Sequence, residues 1–448
     1  MNQSAHQPAP STTFALRADL LDFTADPGFD ASGDLKGVRF RPDHWLLVRD
    51  GVIVGAQVDD PGDDWERHDH RGQLLLPGFI DTHVHSPQLD IIGSYGAGLL
   101  DWLNTHTFPA EARYADPEVA HEGAARFLDA LYAHGTTSAA VFPTVHPVSA
   151  DAIFAAAEAR GMRLVAGKVM MDRNAPAALM DTALSAERDS QALIERWHGR
   201  GRLAYAVTVR FAPTSSDAQL EMAGRLLAAT PGAYLQTHVA ENKKEIAWVE
   251  SLFPSARSYL DVYERHGLLG PRSVLAHGIW LSDADRARLA HTGASIAHSP
   301  SSNLFLGSGL MDWRALEAAG GRVSLATDVG AGTSLSMLKT LADAYRVQAL
   351  LGTRLSAWKA LHGATRGAAD TLGLASEVGT LDVGATADLV LWRWAVGPVA
   401  EHRQARASDL HEKVFAWIIQ GDERNVVSTW VAGRLMYEAR TEWMADRP

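Results

Sequence analysis

The 448-residue chain is 46% hydrophobic and 21% charged, the balance of a globular protein with a sizeable core rather than of a disordered chain. Its formal net charge of −12 argues against nucleic acid as a partner, and the absence of cysteine excludes disulfides, thiolate metal sites and a thiol nucleophile. Any zinc must therefore be held by histidines and carboxylates.

The segment Met1 to Thr13 is polar and contains proline, without the basic start and apolar run of a secretory leader. No apolar stretch is long enough to cross a bilayer, so no membrane partner and a cytoplasmic location are expected. Residues 11–76 read as short strands and turns, with the strand-like runs Trp45–Val48 and Gly51–Gly55 flanking Arg49 and Asp50, and with Asp50–Gly51 as a hairpin signal. Residues 376–445 read similarly, with Asp388–Trp392 and Val426–Val431 as strands. The two terminal segments are expected to pair into one small β-sandwich.

Between them, over residues 77–375, short apolar runs alternate with Ala- and Leu-rich helical stretches, the pattern of βα units around a parallel sheet. Eight strands are predicted: Phe79–His85, Thr136–Phe142, Arg163–Met170, Ala204–Ala212, Ala233–Ala240, Ser273–Ala276, Ala294–His298 and Val323–Thr327. Pro117–His134, Ala150–Ala159, Asp217–Ala229 and Asp283–His291 are predicted helices. The fold class is therefore α/β, a (β/α)8 TIM barrel carrying a small β-sandwich built from both chain termini. An open doubly wound sheet is the alternative, but no Gly-rich phosphate loop follows an early strand.

In such a barrel, chemistry is carried where strands end and loops begin. The first strand ends in His83 and His85, which share a face because strand side chains alternate. The fifth ends in His238 followed by Glu241, the sixth in His277, and the eighth in Asp328. Polar groups at the ends of apolar runs are costly to bury without partners, and a metal meets that cost. His83, His85, His238 and Asp328 supply three nitrogens and one oxygen for a zinc, with room for a water. A bridging lysine for a second metal is missing from the fourth strand, which carries Arg210, while Lys168 on the third reads as a salt-bridging residue. One metal is expected. It would lower the pKa of water to about 7. Glu241 is placed to shuttle a proton, Asp328 to hold the metal and accept from the water, and His277 to orient the water or stabilise a tetrahedral intermediate.

The run from Pro77 to His85 resembles the first-strand signature of the amidohydrolase superfamily. Ser86–Gln88, Ser94–Gly96, Leu100–Leu103, Thr107–Glu111, Gly167–Asp172, Arg210–Thr214, Thr237–Asn242 and Thr327–Thr333 are similar to the guanine deaminases of that superfamily. The resemblance spans Pro77 to Leu338, and Gly379–Gly384 resembles the superfamily's terminal β unit. It implies zinc at His83, His85, His238 and Asp328, guanine contacts from Gln88, Arg210 and Phe211, proton transfer through Glu241 and Asp328, and a homodimer. The implied activity is hydrolysis of guanine to xanthine and ammonia in purine catabolism, with a small-molecule purine as partner. A guanidinium at Arg210 suits a carbonyl and mismatches the amino group of adenine, and Gln88 can both donate and accept.

Other readings stay open at this point. A pterin, a triazine or another aminopurine offers a similar carbon to attack, and a His/Asp site accepts iron as well as zinc. A non-catalytic scaffold barrel is disfavoured because all four ligands and Glu241 are present. Phe211 is read equally as a base contact or as core. Trp102 is read as core or interface packing, and Phe108 with it sits in a long loop that could cover the base. Trp280 stands where relatives often have histidine and could reshape a pocket wall. His298 is expected to hydrogen-bond behind the ligands, and Asp81 either to support His83 or to be a plain buried polar residue.

Overall fold

The structure is a computed structural model that describes residues 13–29, 35–96 and 98–440. Residues 1–12, with most of the polar leading segment and the start of the first β segment, lie outside the described residues, as do 441–445 of the second.

Parallel sheets covered on both faces need strands that are apolar throughout. Phe79–His85 and Thr136–Phe142 meet that demand, with every residue buried. They start a ladder that continues through Arg163–Ala166, Leu203–Val209, Tyr234–Val239, Ser273–His277, Ser295–His298 and Arg322–Leu325, each pairing in parallel with the next. Hydrogen bonds from Asp328 N to the His83 carbonyl (3.0 Å) and from Ser324 Oγ to Thr82 Oγ1 (2.9 Å) tie the last strand to the first and close the barrel.

The third strand departs from the prediction. Instead of one run over Arg163–Met170, it breaks into Arg163–Ala166 and Val169–Met170. Gly167 sits at the break because its backbone passes the Ala206 carbonyl, where a Cβ would lie 1.8 Å from the oxygen. Lys168 leaves the ladder there and pairs with Asp181, so its salt-bridging reading holds.

The four predicted helices form within a few residues of their expected ends. Pro147 begins the helix expected from Ala150, because proline at a first helical position costs no hydrogen bond. The C-terminal segment adds the helices Pro398–Gln404 and Leu410–Gln420, which the strand reading passed over.

Both chain ends enter one seven-stranded sheet. Its order is Arg434–Glu438, Val426–Val431, Leu389–Trp392, Glu66–Pro77, Thr13–Phe23, Val38–Arg49 and Val52–Gln57. Leu389–Trp392 from the C-terminal half pairs antiparallel with Glu66–Pro77, so the strand that leads into the barrel also stitches the two ends together. The predicted hairpin at Asp50 and Gly51 has positive φ at both (52° and 78°), the conformation a two-residue hairpin loop favours. Asp388, almost fully buried, accepts from the Arg202 guanidinium (3.0 Å at NH1) and from Ala432 N (2.8 Å), joining sheet to barrel. Among the described residues, no helix is long and apolar enough to cross a membrane.

Candidate active site

The carboxyl ends of the barrel strands bring His83, His85, His238 and Asp328 together, with one ligand atom from each lying within 4.8 Å of the others. His85 Nε2 is 3.2 Å from His83 Nε2 and 3.3 Å from His238 Nε2, and Asp328 Oδ1 is 3.1 Å from His83 Nε2 and 3.4 Å from His85 Nε2. A tetrahedral zinc with bonds of about 2.0–2.1 Å has ligand–ligand edges of about 3.3–3.4 Å, so this donor set matches such an ion. Tautomer points the same way. His238 Nδ1 donates to the Arg210 carbonyl at 2.7 Å, which leaves an Nε2 lone pair facing the cluster. Burial pushes His83 down to about 4 and His238 well below the ordinary histidine value, so both are neutral at pH 7, the form that can ligate a metal. Burial works against the Asp328 carboxylate, but His277, His83 and His85 hold its pKa well below the usual range.

The loops over these ends supply the rest. Glu241 is 3% exposed, its Oε1 accepts from Ser308 Oγ at 3.1 Å, and its Oε2 lies 3.5 Å from His277 Nε2. Burial raises Glu241 to about 7, within reach of a proton exchanged at neutral pH. His277 Nδ1 meets Asn303 Oδ1 at 2.9 Å, and its Nε2 stands 3.7 Å from Asp328 Oδ2. Burial lowers its pKa, but the Glu241 and Asp328 carboxylates more than offset this and leave it raised. Ala240, His277 and Asp328 all take positive φ (48°, 72° and 52°), unusual for side-chain-bearing residues and concentrated here at the strand ends.

Gln88, Arg210 and Phe211 line the same cavity as His85, His238, Glu241, His277 and Asp328. Arg210 is 3% exposed, and its NH1 donates to Glu111 Oε2 at 2.7 Å. Gln88 Nε2 donates to Glu111 Oε1 at 2.9 Å, and Gln88 Oε1 accepts from Gly330 N at 3.2 Å. Gly330 must be glycine, since a Cβ there would come within 2.5 Å of the Gln88 carbonyl. Phe211 packs in an apolar wall with Leu99, Leu103 and Phe108. Trp102, expected in core or interface, lines the cavity while staying 2% exposed, its Nε1 donating to the Ser94 carbonyl at 3.1 Å. Phe108 lies under the Arg210 guanidinium at 5.3 Å.

Around this cavity, Asp81 Oδ1 accepts from His83 N (3.3 Å) and Thr327 N (3.1 Å), so it braces the first and eighth strand ends beside their ligands. Trp280 is 41% exposed and does not line the cavity; its Nε1 donates to the Ser308 carbonyl at 3.0 Å, steadying the loop that reaches Glu241. His298 is fully buried, yet neither ring nitrogen has a hydrogen-bond partner among the described residues, so the expected hydrogen bond behind the ligands is not made. Sequence reading assigned no role to Glu111, Ser308, Asn303, Glu245 or Tyr263. Glu245 Oε2 accepts from Glu241 N at 3.0 Å, and Tyr263 OH donates to the His238 carbonyl at 2.8 Å. The one available signal was that a buried arginine demands a carboxylate, which points to Glu111 in the motif Thr107–Glu111.

The sequence profile of the amidohydrolase family matches residues 74–436. The chain is 46% identical over 435 residues to a guanine deaminase of Escherichia coli, covering 95% of this chain and 98% of that one. The solved structure of an E. coli guanine deaminase superposes with a TM-score of 0.91 at 45% identity, over 95% of this chain and 100% of that one. A guanine deaminase from C. acetobutylicum, solved with guanine in its active site, superposes with a TM-score of 0.85 at 27% identity, over 95% and 100% of the two chains.

Proposed function

The chain belongs to the amidohydrolase family, and from that membership we propose that it is a guanine deaminase, converting guanine and water to xanthine and ammonia. The observation that carries this reading is the convergence of a four-ligand metal cluster, the buried Glu241 and the Arg210–Gln88 edge on one cavity.

His83, His85, His238 and Asp328 would hold one divalent ion, for which the donor set favours zinc, with iron the alternative. When bound, that ion supplies a Lewis acid that makes water a nucleophile at neutral pH. The side chains do the rest. Arg210 and Gln88 hold the oxo edge of the base, and Phe211, Leu99 and Leu103 exclude water from its faces. Glu241 takes a proton from the attacking water and delivers it to the ring nitrogen or to the departing amine, so that ammonia leaves as a neutral molecule. His277, fixed by Asn303, is placed to stabilise the tetrahedral intermediate, and Asp328 accepts the second proton and returns it to whichever of the ring nitrogen and the amine Glu241 has not protonated, so that both carboxylates are regenerated. We further place the enzyme in the cytoplasm as a homodimer serving purine catabolism. We divide the chain into a barrel over 77–375 and a terminal β unit from 11–76 and 376–445.

The test is a substrate panel on the purified, metal-quantified protein, following ammonia release and guanine absorbance. Guanine should be turned over, with about one metal per chain. Turnover of a pterin, a triazine or another aminopurine with guanine left intact would reject the assignment and keep only the chemistry.

A further inference from the structure

We infer that Glu111 is a specificity-determining positioning residue, whose buried carboxylate fixes the donor pattern that Arg210 and Gln88 turn toward an oxo-purine edge. This rests on the proposed guanine reading and extends it to a residue that does not itself line the cavity.

Glu111 is 0% exposed and comes from the short helix Phe108–Ala112, in the segment that follows the first barrel strand. Each of its oxygens is spent on one recognition residue, Oε2 on Arg210 NH1 (2.7 Å) and Oε1 on Gln88 Nε2 (2.9 Å). An ionised carboxylate only accepts, and a backbone N–H only donates. Gln88 lies between one of each, Glu111 on one side and Gly330 N (3.2 Å) on the other. Its amide therefore has a single satisfied orientation. Flipping it would set carbonyl against carboxylate and amino group against N–H, leaving buried groups unpaired on both sides. In the permitted orientation, the second N–H of Gln88 and the unspent N–H groups of Arg210 remain for a ligand. They suit a carbonyl and leave an amino substituent facing donors.

The same helix holds Arg210 from a second direction, because Phe108 lies under its guanidinium at 5.3 Å. Arg210 in turn fixes His238 through its carbonyl, which accepts from His238 Nδ1 at 2.7 Å. Glu111 thus sits at the centre of a chain running from Gly330 after the eighth strand to a ligand on the fifth. It also offsets the guanidinium charge in a pocket meant for a neutral base.

The test compares guanine with 2,6-diaminopurine, which keeps the 2-amino carbon under attack, replaces the 6-oxo group by an amino group and so turns the neighbouring N1 from a donor into an acceptor. In Glu111→Gln, the new side chain can accept from one partner but must turn its NH2 toward the other donor. We expect metal content to stay at the unsubstituted level, guanine KM to rise with a smaller change in kcat, and the preference for guanine over 2,6-diaminopurine to fall about tenfold or more. Equal losses on both purines, or an unchanged preference, would overturn the inference. The double variant Q88E/E111Q restores an acceptor to each donor in the chain. The carboxylate introduced at position 88 accepts from Gly330 N and from the amide nitrogen introduced at position 111, and the amide oxygen at position 111 accepts from Arg210. This variant should keep metal content at the unsubstituted level and regain any melting temperature lost in Glu111→Gln, while the guanine preference stays low, because position 88 then presents an acceptor. Recovery of the preference as well would overturn the positioning role, as would loss of metal in both variants, which marks Glu111 as structural only. An unsubstituted enzyme that turns over neither purine rejects the guanine reading itself, an outcome separate from any result on the variants.

Discussion

Replacing Glu241 by Gln removes a proton carrier and leaves its shape. The Ser308 hydroxyl can still donate to the amide oxygen that replaces Oε1, and the Glu245 carboxylate still accepts from the backbone N–H of residue 241. Glu241 is outside the four-ligand cluster, so metal content should be unchanged. Removing a general acid–base typically costs about 10²–10⁴-fold in kcat, or about 3–5 kcal/mol in activation free energy. The same variant reads out the electrostatics. In metal-free protein, burial holds Glu241 at about 7, against about 4.5 when unfolded. The folded state then carries more bound protons than the unfolded one between those values, so stability falls as pH rises through that window, by about 3 kcal/mol at most. Metal-free Glu241→Gln should therefore melt above the metal-free parent at pH 8, and the two should converge near pH 4. A cation in the cluster favours the carboxylate, so metal loading should lower the Glu241 pKa and shrink the difference at pH 8. Ammonia release, metal quantification and thermal melts at the two pH values suffice. A variant within tenfold of the parent in kcat would refute the shuttle role, and loss of metal would show that Glu241 belongs to the ligand set.

Three further outcomes follow from particular contacts. Chelation should abolish turnover and lower the melting temperature, because it leaves three imidazoles and a carboxylate converging without a counterpart; readdition of zinc should restore both, and activity that survives complete metal removal would contradict the assigned chemistry. His298 is held down to about 3 by burial, so the unfolded chain takes up its proton first as pH falls below 6.5. Its contribution to stability is present above 6.5 and is lost toward pH 3 by up to about 1.4 kcal/mol per pH unit; His298→Phe should flatten the decline in melting temperature between pH 7 and 5, and an identical slope would refute the assignment. Arg202→Ala should cost about 3 kcal/mol in urea unfolding, because it strands the Asp388 carboxylate at the joint between barrel and terminal sheet; a loss under 1 kcal/mol would show that Ala432 N and solvent suffice.

The strands that carry the candidate metal ligands were legible because a parallel barrel strand must be apolar until it reaches the rim, so a histidine or aspartate that ends such a run stands out. His83, His85, His238 and Asp328 could be picked out on that ground, and the family resemblance supplied Gln88, Arg210 and Phe211. Where the alternation rule met a local exception it misread the chain: Gly167 interrupts the third strand because the Ala206 carbonyl crosses its path, and no pattern of hydrophobicity records that approach. The helices Pro398–Gln404 and Leu410–Gln420 were hidden by the strands on either side of them.

What the sequence determined by itself was therefore the repeating architecture and the residues that end its strands, since periodicity and the cost of burying a lone polar group are local properties. Tertiary structure alone decided who partners whom. Glu111 meets Arg210 across 99 positions, Asp81 reaches Thr327 across 246, and Trp102, packed in the apolar cluster with Leu99, Phe108 and Phe211, also lines the cavity. Such pairings are set by barrel closure, which brings distant loops to one rim, and a carboxylate's partner is chosen by that geometry and not by its neighbours along the chain.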